Sequence, residues 1–166
     1  MKYLGAIVLI LVSLGLFGSQ DNTKKEKKAR ERLEMAQLIQ NGKFQFVARS
    51  ANSVLGNFNN LSYGYSMVFD SLHIVSFLPY YGRTFVVRND NEGGVKFDLK
   101  ADNINQQWVE KKKLFKPSTQ LSDSREGYTI FLTAGLDGYA ELSISFRDRT
   151  WMNYSGTIEK IPSKKD

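Results

Sequence analysis

From Lys43 onward, apolar and polar residues alternate with a period of two. In the clearest run, 95–100, Val, Phe and Leu alternate with Lys, Asp and Lys. Successive side chains of a strand point to opposite faces of a sheet, so this pattern is typical of a strand with one buried face. Comparable short runs recur at 44–49, 63–69, 72–77, 84–88, 108–115, 128–134, 139–146 and 152–158.

Turn-forming residues separate these runs. They occur at 70–71, 89–94, 122–127, 135–138 and 147–149. Short loops favour antiparallel neighbours, and no strand–helix–strand alternation indicates a parallel sheet. We therefore predict a mainly β fold: an antiparallel meander of about eight or nine strands, forming a lipocalin-like small barrel or a curved sheet. A sandwich is the alternative that the pattern leaves open.

One N-terminal α-helix is predicted before the strands. It is expected to begin near Asp21 and to end at Asn41-Gly42, a pair typical of a left-handed C-cap. Apolar residues cluster only in its second half, so only that half is expected to pack. The predicted domain organisation is a signal peptide at 1–20, the charged helix at 21–42, the β domain at 43–160 and a basic tail at 161–166.

The amino terminus has the features of a secretory signal peptide. Lys2 precedes an uncharged run of 14 residues from Leu4 to Phe17, whereas a membrane-spanning helix needs about 20. We expect an exported protein, periplasmic or secreted, cleaved near 18–20; an uncleaved N-terminal anchor is the alternative. The chain has no cysteine, so lipidation and disulfides are not expected.

The positive charge of the chain lies mainly at its ends. Residues 43–159 hold 13 Lys and Arg against 12 Asp and Glu, a net charge of +1, whereas the whole chain carries +6. A nucleic-acid-binding protein concentrates basic residues on its recognition surface, so no nucleic-acid partner is expected. The basic termini allow weak contact with a membrane surface.

Five short motifs occur in a recognisable order. They are Phe44-x-Phe46-x-Ala48, Leu78-Pro79-Tyr80-Tyr81-Gly82-Arg83, Gly93-Gly94-x-x-Phe97, Gly138-Tyr139-Ala140-x-Leu142 and Tyr154-x-Gly156-x-Ile158. Their order and spacing resemble an uncharacterised family of Bacteroidetes cell-envelope proteins, domain of unknown function 4251, over about residues 24–160. The resemblance implies an exported β-rich domain without an assigned activity. Many family members look like lipoproteins, and this chain departs from them in lacking the lipid-bearing cysteine.

No catalytic constellation is visible in the sequence. A serine–histidine–acid triad would have to use His73, the only histidine of the chain. A zinc site needs three or four ligands drawn mostly from histidine and cysteine, which this composition does not supply. We therefore expect no enzyme activity, no cofactor and no metal site.

The segment 78–83 is the most specific candidate for a binding site. Tyr80 and Tyr81 offer apolar faces with hydroxyls, and Arg83 offers a planar charged fork, so the three suit a carbohydrate, a peptide or an anionic group. The structural alternative is a strand-to-strand corner, with one tyrosine in the core and Arg83 paired with a nearby acid.

Two functions remain open at this stage. The first is a non-enzymatic module that binds a small molecule or glycan, with a cavity lined by residues such as Phe46, Tyr65, Met67 and Phe97. The alternative is a structural or protein-interaction component of the cell envelope, with a filled core and an exposed contact surface. An eight-stranded barrel can be filled by side chains or can hold a small ligand.

Overall fold

The computed structural model describes residues 19–54, 56, 58–86, 93–124 and 126–162. The predicted signal peptide lies outside this part except for its last two residues, and of the predicted basic tail only Ile161 and Pro162 lie inside it. The chain divides into two units, Met1–Glu34 and Met35–Asp166.

The predicted helix is present as α1, Ser19–Gln40. Side chains at 23–34 are exposed, as expected for a segment without an apolar stripe. In the second unit, Ile39 is fully buried in the core. The helix ends at Gly42, whose φ of 64° is left-handed and whose N–H bonds to the Ile39 carbonyl at 3.0 Å. No described helix is long and apolar enough to cross a bilayer.

Ten antiparallel strands follow within the described residues and form one curled half-barrel sheet. They are β1 (Lys43–Ser53), β2 (Phe58–Asn60), β3 (Ser66–Asp70), β4 (His73–Leu78), β5 (Val95–Lys100), β6 (Asn105–Val109), β7 (Leu114–Ser122), β8 (Gly127–Gly135), β9 (Tyr139–Phe146) and β10 (Met152–Glu159). Their order is β5-β4-β3-β1-β10-β9-β8-β7-β6, with β2 also paired to β1. The predicted mainly β meander is therefore confirmed, as a curved sheet.

The first and last strands of the chain pair at the middle of the sheet. Phe46 of β1 lies opposite Ile158 of β10. The register shifts between Ala48 and Ser50, which leaves Arg49 as the extra residue of a β-bulge. Beside the bulge, a Cβ on Gly156 would collide with the Val47 carbonyl. Glycine is therefore required where these two backbones approach most closely.

The inward face of the sheet is packed with apolar side chains. Phe44 and Phe69 stack with ring centroids 4.8 Å apart. Strand β5 lies beside β7 without joining its ladder. Phe97 of β5 instead packs on Tyr128 of β8 at 4.5 Å between centroids. We call this line, where β5 faces β7 and β8, the seam.

Two predicted strands differ from the structure. The run 108–115 contains the end of β6, a short 3-10 helix at Glu110–Lys112 and the start of β7. Its three lysines lie in this turn, with Lys113 left-handed at φ 51°, and do not line the β6 edge. In the run 84–88, Thr84 forms an isolated bridge with Arg149, and residues 87–88 lie outside the described part.

The sequence pattern predicts Tyr63, Trp151 and Tyr154 as core residues, and the structure contradicts the prediction for the first two. Tyr63 is 89% exposed and Trp151 is 43% exposed. Tyr63 precedes β3 and Trp151 precedes β10, so the period-two alternation of the strands does not govern either side chain. Tyr154, also expected in the core, is 1% exposed.

Candidate functional site

The segment 78–83 forms a corner at the end of β4. Leu78 is buried, and the carbonyl of Pro79 accepts a hydrogen bond from the Tyr154 hydroxyl at 2.7 Å. The Tyr80 hydroxyl lies 2.8 Å from the Arg83 carbonyl oxygen and 3.0 Å from both the carbonyl and hydroxyl oxygens of Thr150. The corner is thereby bonded to the loop between β9 and β10.

Backbone bonds strengthen the same junction. Arg83 N–H donates to the Thr150 hydroxyl at 2.9 Å, and Thr150 N–H donates to the Arg83 carbonyl at 2.9 Å. A Cβ on Gly82 would collide with the Thr150 hydroxyl and the Tyr80 ring. Glycine is therefore required between Tyr81 and Arg83 because the two chain segments meet there.

The three predicted site residues have different surroundings. Tyr80 is half-buried with its hydroxyl bonded inside the molecule, as the structural interpretation expects for one tyrosine. Tyr81 and Arg83 are exposed. The acid that this interpretation pairs with Arg83 is not found in the described part of the chain. A role of the three residues in ligand binding stays a prediction.

A buried ion pair lies behind the corner, and sequence reasoning missed it. Glu126 is fully buried, and its carboxylate lies 2.9 Å from Arg149 Nε. Arg149 Nη1 also donates to the Gly94 carbonyl at 2.9 Å, and Asp148 N–H donates to Glu126 at 3.3 Å. Burying charge is costly unless such hydrogen bonds complete the pair, so this junction depends on both partners.

Aromatic contacts connect the corner to the seam. The Arg149 guanidinium lies 5.1 Å from the ring centroids of both Tyr80 and Phe146. Phe146 meets Tyr80 edge-on at 5.4 Å and Tyr128 at 6.0 Å, and Tyr128 packs on Phe97. Tyr80 therefore contacts the aromatic cluster at the seam through the ring of Phe146.

Tyr154 has a clearly perturbed titration. Burial raises the pKa of its phenol well above the ordinary value of 10.0, and the neighbouring Tyr80 raises it further. The hydroxyl therefore keeps its proton, and can donate to the Pro79 carbonyl, at alkaline pH values where an ordinary tyrosine ionises.

A cleft of about 660 Å³ opens at the seam. Lys100 and Asp102 line one side of it. Residues at the ends of β7, β8 and β9 complete the lining: Gln120, Leu121, Ser122, Gly127, Tyr128, Thr129, Ser145, Phe146 and Arg147. None of Tyr80, Tyr81 and Arg83 lines this cleft.

The lining of the cleft gives it a defined chemistry. Two cations, Lys100 and Arg147, and one carboxylate, Asp102, line the cleft, and Arg147 Nε also lies 3.5 Å from the carboxylate of Asp148. Uncharged hydroxyl and amide groups provide donors and acceptors, and the phenyl ring of Phe146 provides an apolar surface. The volume lies in the range of ligand pockets, about 300–1,000 Å³, and the lining is mainly polar.

The only histidine lies elsewhere. His73 of β4 is exposed and bonds to Asp98 of β5 across the ladder. Within the described residues no group of three or more His, Cys, Asp or Glu side chains could hold a metal ion.

The helix and the half-barrel define a small, mainly β protein with a polar cleft at the open seam of its sheet. The chain belongs to the family described as domain of unknown function (DUF4251), whose sequence pattern matches residues 26–158. The family resemblance found in the sequence is thereby confirmed.

A solved structure has the same fold. It is the crystal structure of a DUF4251 family protein from Bacteroides eggerthii, with a TM-score of 0.62 and 15% sequence identity. The match covers 80% of this chain and 89% of that chain. No curated protein sequence matches this chain.

Proposed function

We propose that this chain is an exported, non-enzymatic binding module whose seam cleft holds a small, hydroxyl-rich molecule that carries negative charge. The observation that supports this most is the lining of the cleft, which combines the cations Lys100 and Arg147 with three hydroxyl-bearing residues and Phe146. An acidic sugar fits this set of groups.

Each group of the cleft has a role in this proposal. Guanidinium and ammonium groups bond to a carboxylate with charge-assisted hydrogen bonds, which are stronger than neutral ones. The hydroxyls of Thr129 and Ser145 can donate to or accept from sugar hydroxyls. The ring of Phe146 is held by Tyr80, Tyr128 and Arg149, so its orientation is fixed before a ligand arrives.

Ligand-observed NMR with paired sugars tests the proposal. Glucuronic and galacturonic acid are compared with glucose and galactose, and binding of the acids is expected. The Lys100→Met/Arg147→Met variant is expected to weaken binding about tenfold or more, because charge-assisted contacts are lost. Both side chains are exposed, so the variant should fold.

Two further variants locate the site. Lys116→Met removes an exposed cation of β7 that does not line the cleft, and it should leave binding unchanged. Arg83→Met tests the corner itself. Loss of binding in Arg83→Met alone would move the site to Tyr81 and Arg83, and absence of binding by every acid would contradict the proposal.

Export is tested on protein purified from the envelope of its own host. Intact mass spectrometry should show an amino terminus created by cleavage near residues 18–20. An intact amino terminus starting at Met1 would favour the uncleaved anchor. Under native conditions the same sample should carry a stoichiometric small molecule that leaves on denaturation.

The packed inward face supports a second candidate, a structural or protein-interaction component of the envelope. Phe46 and Met67 are fully buried and Phe97 is 8% exposed, within one core cluster. Tyr65, expected beside them, instead stacks on the exposed ring of Phe77 at 5.7 Å. A host-purified protein that co-purifies with one envelope protein and carries no small molecule would favour this candidate.

A further inference from the structure

A row of side chains crosses the outward face of five strands, from β8 to β2, and extends to β7. Phe131 lies opposite Ser118 and Ser143, Ser143 opposite Asn153, Asn153 opposite Asn52, and Asn52 opposite Phe58. We call these six residues the outward row. Phe131 lies between buried Ile130 and Leu132, and the alternation of the strand therefore turns its ring away from the core.

The ends and the middle of the row differ in chemistry. Phe131 is 52% exposed and Phe58 is 66% exposed. Between them the row carries only hydroxyl and amide groups. The Ser143 hydroxyl bonds to the Asn153 amide oxygen at 2.6 Å, while the Asn153 amide nitrogen carries two further donors.

Charge is depleted around the outward row. Charged residues make up 24% of the chain, yet β8 and β2 contain none, β7 and β9 contain one each, Lys116 and Glu141, and β1 contains Lys43 and Arg49. In β10 the one charged residue is Glu159, at the end of the strand. A solvated sheet face ordinarily carries more charge than this, so the surface is suited to a neutral partner.

The distance between neighbouring strands indicates which kind of neutral molecule the outward row could bind. Neighbouring strands lie about 4.8 Å apart, so four steps separate Phe131 from Phe58 by roughly 19 Å along the sheet. One strand step is close to the length of one pyranose unit in an extended chain. Each strand between the rings can then present one polar side chain to one sugar, and each phenyl ring can stack on a sugar face.

We infer that the outward row is a second binding site, which takes a neutral, extended polysaccharide lying across the strands. A protein partner fits less well, because the core of a protein interface groups its apolar side chains together. Here the two rings are separated by polar residues. This site shares no residue with the seam cleft, although Gln120, Thr129 and Ser145 of the cleft lie two residues further along the same strands.

Retention on neutral linear polysaccharides tests the inference. Full-length protein is applied to cellulose, xylan, mannan and chitin, and retention on at least one is expected. Phe58→Ala and Phe131→Ala are each expected to reduce the affinity about tenfold, because a stacking ring is lost. Phe131→Tyr keeps the ring and should keep retention.

Controls separate a binding loss from a folding loss. Phe77→Ala removes another outward ring, 48% exposed, on β4, and should leave retention unchanged. Lys100→Met/Arg147→Met should also leave it unchanged. The thermal unfolding midpoint of every variant is measured as well, and a small decrease is expected for Phe77→Ala because its ring stacks on Tyr65.

Three results would overturn the inference. The first is that none of the four polysaccharides retains the protein. The second is that Phe77→Ala weakens retention as much as Phe131→Ala does. The third is a self-association of the native protein in sedimentation velocity that Phe131→Ala abolishes, which would make the row a protein interface.

Discussion

At the scale of single residues, Tyr154 shows how a buried polar group becomes part of the structure. Its alternating position in β10 predicts burial, and the structure confirms it. Its hydrogen bond to the Pro79 carbonyl joins residues that are 75 positions apart, and no local pattern indicates that partner. A buried hydroxyl must find an acceptor, because leaving one group unpaired costs about 1–3 kcal/mol.

Tyr154→Phe is expected to lower the free energy of unfolding at neutral pH by about 1–3 kcal/mol, because the Pro79 carbonyl loses its donor. Because the pKa of Tyr154 is raised, the difference in unfolding free energy between the two proteins also depends on pH. The folded protein keeps the phenol proton where the unfolded chain releases it, above about pH 10. The advantage of the native protein over Tyr154→Phe should therefore shrink as the pH rises past that value.

Urea unfolding of both proteins between about pH 8 and pH 11 measures this difference, and the range spans the ordinary tyrosine pKa. The other tyrosines and the lysines titrate in both proteins, so their contribution cancels. If the difference in unfolding free energy between the two proteins stays constant over this pH range, the raised pKa of Tyr154 is contradicted.

At the scale of elements, the corner at 78–83 depends on the loop between β9 and β10. The sequence singles out the Pro-Tyr-Tyr-Gly-Arg segment because its residue types are unusual together. It does not indicate that Thr150 completes the corner, since Thr150 is distant in sequence and of a common type. The buried Glu126–Arg149 pair was missed for the same reason. An acidic and a basic residue in two separate loops are ordinarily expected to be exposed to solvent.

Gly82→Ala is expected to destabilise the protein by about 1–3 kcal/mol, as overpacking does in a region without free space. The added methyl group would collide with the Thr150 hydroxyl and the Tyr80 ring. Gly93→Ala is the matched control, because no described atom lies within 4 Å of its built Cβ.

Chemical denaturation of both glycine variants checks the expectation. A second readout is tryptophan fluorescence, to which Trp151, next to Thr150, contributes together with Trp108; the Gly82→Ala variant is compared with the native protein. Equal stability of the two variants would show that the corner can open without cost.

At the scale of the whole molecule, the seam determines the curvature of the sheet. Strand β5 reaches the opposite part of the sheet through side chains, chiefly Phe97 on Tyr128. The Thr119 hydroxyl adds a hydrogen bond to the Asn103 carbonyl at 2.6 Å. The sheet is therefore a half-barrel held across its open side by packing, and the cleft lies on that line.

Phe97→Ala is expected to cost about 3–5 kcal/mol, the usual range for removing a buried phenyl ring. The variant should destabilise β5 more than the rest of the sheet, because no strand pairs with β5 on its seam side. Hydrogen exchange should accelerate more in Val95–Lys100 than in Met152–Glu159, which pairs on both sides. Equal acceleration in both strands would show that the seam packing is not what retains β5.

The sequence by itself determined the class of the fold and most of its strands. Alternation with a period of two follows directly from strand geometry, so the inward residues of β1, β5 and β8 could be identified locally. The helix end at Gly42 could be identified in the same way, because glycine readily adopts left-handed dihedral angles. The short strand β2 was not predicted, because three residues are too few to show a period.

Only the tertiary structure decided which residues meet. The pairing of β1 with β10 joins the two ends of the domain, and the seam brings Lys100 and Arg147, 47 positions later in the chain, to the lining of one cleft. The outward row likewise consists of serines, asparagines and two phenylalanines that are unremarkable singly and become a surface through strand register. Local propensity depends on a residue and its neighbours, whereas a site depends on long-range pairing, and that is why the strands could be predicted and the cleft could not.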